Sequence, residues 1–103
     1  MNIVLPVPKL ADITLAGILK SLSDPTRLTI VAQLFAAEGE VSCAEFNELG
    51  KKSNLSQHYR NLRLSGLIST RREGRHSYLT LRTKELAIKF PQLLATIVSN
   101  AKY

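Results

Sequence analysis

The fold is decided by residues 55–68, which read LSQHYRNLRLSGLI. Within them, Leu55, Tyr59 and Leu62 are spaced by four and then three residues, so the three side chains share one face of an α-helix. We predict this helix over residues 54–65, because the glycine that follows it is a common helix terminator. Most of its other residues are polar, which leaves the opposite face for solvent or for a ligand.

A second, shorter helix is predicted just before this one. Residues 42–45 read Ser-Cys-Ala-Glu, the S-x-x-E pattern of a capping box, so a helix is expected over residues 43–49. Residues 50–53 read Gly-Lys-Lys-Ser and are expected to form a short polar turn. Two helices joined by a tight, glycine-containing turn are typical of a helix-turn-helix unit.

Strand-forming residues follow the helix-turn-helix unit. Residues 67–72 and 76–82 are rich in Thr, Ile, Tyr and Leu, and the three residues between them read Glu-Gly-Arg. This pattern predicts a β-hairpin with a glycine at its tip. A helix-turn-helix followed by such a hairpin, the wing, is the plan of the winged helix-turn-helix fold.

Further helices are predicted on both sides of this unit. Residues 12–23 carry two overlapping apolar stripes, and the Asp-Pro pair at 24–25 supplies an N-cap and a first-turn proline for the next helix. After the hairpin, residues 84–89 and 91–100 are expected to be helical, the second segment opening at its proline. The predicted fold is therefore a single winged helix-turn-helix domain over residues 1–103, mainly α with a β-hairpin wing.

The chain has 103 residues and a formal net charge of +6 that is unevenly distributed. Residues 1–50 contain three Lys/Arg and six Asp/Glu, a net charge of −3, whereas residues 51–103 contain eleven and two, a net charge of +9. A basic surface of this density is either a solvated face or a binding surface for a polyanion. Because the helix-turn-helix and the wing lie in the basic half, nucleic acid is the favoured partner.

Candidate DNA-binding residues lie on the polar face of the second helix, in the turn before it and at the wing tip. Asn and Gln can pair with adenine edges, Arg with guanine, and Ser with phosphate. Arginines around a projecting tip suit phosphates or a narrow minor groove, although one or two such charges also serve to blunt a hairpin edge. The residues predicted to contact double-stranded DNA, within a DNA-reading unit over residues 43–82, are Lys52, Asn54, Ser56, Gln57, Arg60, Asn61, Arg71, Arg72 and Arg75.

The first and last helices carry more apolar surface than a small monomer readily covers. We therefore predict that residues 1–23 and 83–103 are dimerisation elements of a homodimer, which would read a pseudo-palindromic operator. The residues predicted at the dimer interface are Leu15, Ile18, Leu19, Leu22, Leu93, Leu94, Ile97 and Val98.

Three segments resemble the ArsR/SmtB family of bacterial winged-helix repressors. They are residues 22–28 (LSDPTRL), residues 55–68 quoted above, and residues 71–78 (RREGRHSY), which occur in the family's order and spacing. The resemblance spans roughly residues 12–82. It implies a homodimer formed by the first and last helices, operator binding without effector, and release when an effector binds.

The chain departs from this family where its best-known members bind metals. Ser42 and Ala44 occupy the positions of a C-x-C ligand pair, with Cys43 between them, and residues 83–103 contain no His or Asp. One thiolate cannot form a sulfur site within one chain, so no metal and no cofactor are expected. The effector is expected to be a small organic molecule, or to be absent. Cys43 is interpreted as a structural residue, with a redox role at a helix N-terminus as the alternative.

These patterns also exclude several classes of protein. No paired carboxylates, Ser-His-Asp set or phosphate-binding loop indicates an enzyme. No apolar run approaches the roughly 18 residues of a membrane helix, and the start lacks the features of a signal peptide. With one cysteine, the chain is expected to be cytoplasmic. The predicted function is sequence-specific DNA binding by a transcriptional regulator, a homodimeric repressor of the ArsR type that lacks the usual metal-sensing sites. The alternative is a winged-helix protein-interaction module without specific DNA binding.

Overall fold

The computed structural model describes residues 2–101, within which the chain forms five α-helices, two 3-10 helices and one four-stranded antiparallel sheet. The strands are β1 (Asn2–Val4), β2 (Val41–Ser42), β3 (Ile68–Glu73) and β4 (His76–Leu81). The α-helices are α1 (Leu15–Leu22), α2 (Pro25–Ala37), α3 (Lys52–Leu64), α4 (Thr83–Lys89) and α5 (Leu93–Ser99), and the 3-10 helices span Leu10–Asp12 and Cys43–Leu49.

The first two α-helices begin at polar caps. Asp24 accepts a hydrogen bond of 3.0 Å from the Arg27 N–H and Pro25 opens α2, as predicted. Helix α1 begins later than the predicted residue 12, because Thr14 and not Asp12 caps it, accepting a hydrogen bond of 3.0 Å from the Gly17 N–H.

No helix among residues 2–101 is long and apolar enough to cross a membrane.

The predicted hairpin is present, and two further strands flank it. Glu73 pairs with His76, which leaves a two-residue loop whose first residue, Gly74, has a φ of 59°. A positive φ at that position is the arrangement of type II′ hairpin turns and favours glycine. Strands β1 and β2, which the sequence did not indicate, pair with β3 and β4, so the sheet order is β1-β3-β4-β2.

Besides the start of α1, two further predicted helix starts are wrong. Helix α3 begins at Lys52, before the predicted residue 54, and its N-cap Lys51 makes no side-chain capping bond. Helix α5 begins at Leu93, after the predicted Pro91, because Gln92 adopts a left-handed conformation with a φ of 63°. The short helix predicted over residues 84–89 is present as α4.

One apolar core joins all five α-helices to the sheet and fixes the position of α3. Leu55 and Leu62 are buried on the inner face of α3, as their spacing predicts, and Tyr59 is half-buried between them. The buried core residues of the other elements are Ile13, Ile18, Leu22, Ile30, Val31, Leu34, Phe46, Leu67, Ile68, Leu79, Leu81, Leu86 and Leu94.

This core includes three residues predicted at a dimer interface. Ile18, Leu22 and Leu94 are buried within the single chain, so their assignment to an intermolecular surface is wrong. Leu15 and Leu19 are 45% and 48% exposed and remain available. Half-buried side chains on α5 are Leu93, Ile97 and Val98. The ends of the predicted dimerisation elements, residues 1 and 102–103, lie outside the described residues.

The N-terminal segment is tied down by basic side chains of the second half. Arg63 donates a hydrogen bond of 2.7 Å to the Pro6 carbonyl, and Arg82 donates one of 3.4 Å to the Pro8 carbonyl. Lys89 donates to three carbonyls between residues 10 and 13, the shortest bond being 2.6 Å to Ile13. Part of the +9 charge of residues 51–103 therefore also serves the fold.

Candidate nucleic-acid interface

The two helices of the helix-turn-helix unit pack through aromatic side chains. Phe46, from the 3-10 helix Cys43–Leu49, is fully buried, and its ring centroid lies 6.3 Å from that of Tyr59 on α3. The planes are tilted by 57°, a favourable aromatic arrangement. With its inner face held this way, α3 exposes Lys52, Asn54, Ser56, Gln57 and Arg60.

A groove of about 450 Å³ separates α3 from the wing. Its rim is strongly cationic: among the described residues, five basic side chains and no acidic one line it. From α3 they are Lys52, Arg60 and Arg63, and from the wing they are Arg72 and Arg75. Like charges facing each other across a groove focus a positive potential, which attracts a polyanion.

Six of the nine predicted DNA-binding residues line this groove, namely Lys52, Ser56, Gln57, Arg60, Arg72 and Arg75. Asn54 is exposed on α3 outside the groove lining. The remaining two, Asn61 and Arg71, are directed to partners within the chain. The structure therefore brings six of the nine predicted residues together in the groove and leaves three outside its lining.

Asn61 links α3 to α1. Its Oδ1 accepts a hydrogen bond of 2.7 Å from the hydroxyl of Ser21, a residue that is 2% exposed. A bidentate contact with adenine needs both the carbonyl and the amide of an asparagine. Because Oδ1 of Asn61 is engaged within the chain, the structure does not favour a bidentate base contact by this residue.

Arg71 lies on the face of the sheet opposite the groove. Successive residues of a strand point to opposite faces, so Arg71 and its neighbour Arg72 cannot both face α3. Arg72 lines the groove, whereas Arg71 makes a bidentate ion pair with Glu40 at 2.9 and 2.7 Å. The structure therefore does not bring Arg71 together with the predicted DNA-binding residues that line the groove.

Two groove residues, Arg63 and His76, are not among the residues predicted to bind DNA. Arg63 is three residues after Arg60 and seven after Ser56, so helical spacing alone could have placed it on the same face. His76 begins β4 beside the wing tip, and no local pattern distinguishes it from a structural histidine.

A polar network fixes α3 against the start of α2. His58 Nδ1 lies 3.2 Å from Arg27 Nη1 and 3.9 Å from Asp24 Oδ1, while Arg27 Nε donates to the Ser21 carbonyl at 2.6 Å. Burial acts to raise the pKa of Asp24, but the Arg27 N–H and the charges of His58 and Arg27 outweigh it and hold that pKa below its usual value. These contacts link α3 to the start of α2 on the side away from its outward face.

Cys43 faces the same groove but has the properties of an inert thiol. Burial raises its pKa to about 11, against the opposing charge of Arg72. Tyr59 nearby has its pKa raised to about 12, first by burial and then by Cys43. A protonated thiol is a poor nucleophile, which favours the structural interpretation of this residue.

We expect Cys43 to be alkylated at least about tenfold more slowly in the folded protein than in the unfolded chain, because burial suppresses the reactive thiolate. The measurement is the rate of iodoacetamide modification at pH 8, followed by mass spectrometry. The same chain in denaturant, where the thiol regains its ordinary pKa, is the control. Equal rates in the two states would contradict the structural role.

Metal ligands do not cluster in the described part of the chain. Among residues 2–101, no group of three or more His, Cys, Asp or Glu side chains is placed to hold a metal ion.

A helix-turn-helix whose second helix and following hairpin enclose a cationic groove defines a winged helix-like fold with a surface suited to DNA. No family model matches the chain. Over 84 residues it is 37% identical to the uncharacterized HTH-type transcriptional regulator YceK of Bacillus subtilis (strain 168), a match that covers 80% of this chain and 84% of that protein. The chain therefore belongs to the HTH-type transcriptional regulators. This confirms the predicted class of DNA-binding regulator.

Proposed function

We propose that this chain is a sequence-specific, double-stranded DNA-binding repressor of the ArsR/SmtB type that acts as a homodimer in the cytoplasm. The observation that carries the proposal is the groove between α3 and the wing, where five basic side chains flank Ser56 and Gln57. Charge on both walls supplies affinity for phosphates, and the amide side chain supplies a group that can discriminate bases.

In the proposed complex, α3 enters the major groove of the duplex. Its 13 residues have a length of about 20 Å, and an α-helix fits the major groove, which is about 12 Å wide. In this complex Gln57 and Arg60 meet base edges, whereas Lys52 at the start of the helix meets the backbone. Arg72 and Arg75 on the wing meet phosphates or the adjacent minor groove.

Dimerisation is proposed from the exposed side of α1. Leu15 and Leu19 are four residues apart on one face of the helix and are about half exposed. The half-buried apolar residues of α5, Leu93, Ile97 and Val98, extend the surface that a second copy would cover. A two-fold dimer would place two copies of α3 about one helical turn, or a multiple of it, apart on a pseudo-palindromic operator.

Repression and release by an effector are proposed from the family resemblance of residues 22–28, 55–68 and 71–78. Ser42 and Ala44 occupy the positions of that family's C-x-C metal-ligand pair. Residues 83–103, which include the last helices, contain no His or Asp. The proposal therefore contains no metal. A small organic molecule, or no effector at all, is consistent with these residues.

The test is selection of bound fragments from a random duplex pool by the full chain. We expect an enriched pseudo-palindrome with half-sites about 10 base pairs apart, bound at least ~1,000-fold more tightly than random duplex at physiological salt. Sedimentation of the free protein should give the mass of a dimer. If no sequence is enriched and weak binding disappears with added salt, the chain is instead a protein-interaction module without specific DNA binding.

A further inference from the structure

The guanidinium of Arg71 is the centre of a cluster on the face of the sheet that lies opposite the groove. Nε and Nη2 donate to the two carboxylate oxygens of Glu40 at 2.9 and 2.7 Å. Nη1 donates to Glu73 at 2.9 Å and to Asn2 Oδ1 at 2.7 Å. The aromatic ring of Tyr78 lies against the same group, 4.4 Å from its carbon Cζ. Every nitrogen of this side chain is therefore engaged.

These contacts join the whole sheet through one side chain. Asn2 is in β1, Glu73 is in β3 and Tyr78 is in β4, while Glu40 immediately precedes β2. Strand β2 leads directly into the 3-10 helix of the helix-turn-helix unit. Arg71 thus connects the wing to the entrance of the element that carries α3.

The negative charges of Glu40 and Glu73 oppose the transfer of the Arg71 guanidinium to a DNA phosphate. Its pKa is raised by hydrogen bonds to Glu40 and Glu73, and the pKa of Glu40 is lowered by the bond from Arg71. If the guanidinium left to bind a phosphate, two carboxylates would remain unpaired near a polyanion. That exchange is unfavourable because like charges repel.

We propose that Arg71 is a positioning residue for the wing, one that directs Arg72 and Arg75 into the groove and does not itself touch DNA. Arg72 is the next residue of β3 and points to the opposite face, so the contacts of Arg71 fix its direction. Arg75 follows in a two-residue loop with little freedom of its own. This inference rests on the proposed function, because it assigns a role in DNA binding.

The decisive variant is Glu40→Gln, which makes the protein more positive by one charge. If Arg71 positions the wing, affinity for the selected duplex falls about threefold to fivefold, since the bidentate pair is broken. If Arg71 binds phosphate, the same substitution frees it and affinity rises. Glu38→Gln, two residues earlier and exposed, is the matched charge control and is expected to leave affinity unchanged or slightly higher.

A second comparison separates positioning from damage to the fold. Arg71→Gln should weaken binding about fivefold to tenfold in the otherwise native chain, but have little effect once Arg72 and Arg75 are both replaced by Gln. A direct phosphate contact, or partial unfolding, would weaken binding equally in both backgrounds and would overturn the inference. Failure of the native chain to bind any duplex would instead overturn the proposed function, and this inference with it.

Discussion

Replacing Gln57 or Arg60 by alanine is expected to weaken binding to the selected operator by about 1–3 kcal/mol for each base interaction that the substitution removes. Binding to random duplex should change much less. Both side chains are exposed on α3, and both line the groove, so truncation removes groups that would meet base edges and leaves the core untouched. The measurement is fluorescence anisotropy with both duplexes at one fixed salt concentration.

Variants elsewhere on the surface make this result interpretable. Arg72→Ala or Arg75→Ala should weaken binding to both duplexes about equally and reduce the slope of log affinity against log salt by about 1. Gln33→Ala changes the same kind of exposed amide on α2, away from the groove, and should have no effect. If Gln57→Ala and Arg60→Ala left the ratio of operator to random binding unchanged, the assignment of α3 as the recognition helix would be wrong.

Elements that are determined by residues adjacent to one another in the sequence were predictable. The start of α2 follows from an aspartate and a proline in succession, and the hairpin follows from a glycine between two β-rich segments. Strands β1 and β2 have three and two residues, too few to show a period of two. They exist because β3 and β4 offer open edges, a property of the assembled sheet that no local pattern contains.

In the candidate site, too, features set by local spacing were predictable and features set by distant residues were not. Helical spacing correctly placed Gln57 and Arg60 on the outer face of α3, since that face is the complement of the buried one. The internal hydrogen bond of Asn61 could not be predicted because its partner, Ser21, lies 40 residues earlier in the chain. The ion pair of Arg71 could not be predicted because its partner, Glu40, is 31 residues away, although alternation along β3 already indicated that Arg71 and Arg72 point to opposite faces.

Apolar periodicity likewise overestimated the dimer surface. A helix with apolar residues all round is expected to bury one side in the core and another against a partner. Which apolar stripe of α1 faces the core depends on the positions of α2 and the sheet. The sequence therefore grouped Ile18 and Leu22 with Leu15 and Leu19. Only the packed structure distinguishes the buried pair from the exposed pair.

The second large effect expected is on stability: Gly66→Ala should lower the free energy of unfolding by about 3 kcal/mol. Gly66 joins α3 to β3 with a φ of 91°, a conformation that side chains disfavour. An added Cβ would also meet Cγ1 and Cδ1 of Ile13, which is buried beneath it. Since the Leu67 N–H bonds to the Leu62 carbonyl across this turn, at 3.0 Å, the turn cannot open without disrupting the helix end. Urea unfolding followed by circular dichroism measures the change.

Two other glycines separate the contributions of backbone strain and crowding. Gly74 has a φ of 59°, and no atom of residues 2–101 lies within 4 Å of an added Cβ, so Gly74→Ala should cost about 1 kcal/mol, from backbone strain alone. Gly50 has extended backbone and open space around it, so Gly50→Ala should change stability by less than about 0.5 kcal/mol. If Gly66→Ala cost no more than Gly74→Ala, the close packing of Ile13 under the helix-to-wing turn would be contradicted. The turn at Gly66, which sets the angle between α3 and the wing, would then accommodate a side chain without the clash with Ile13 that the structure indicates.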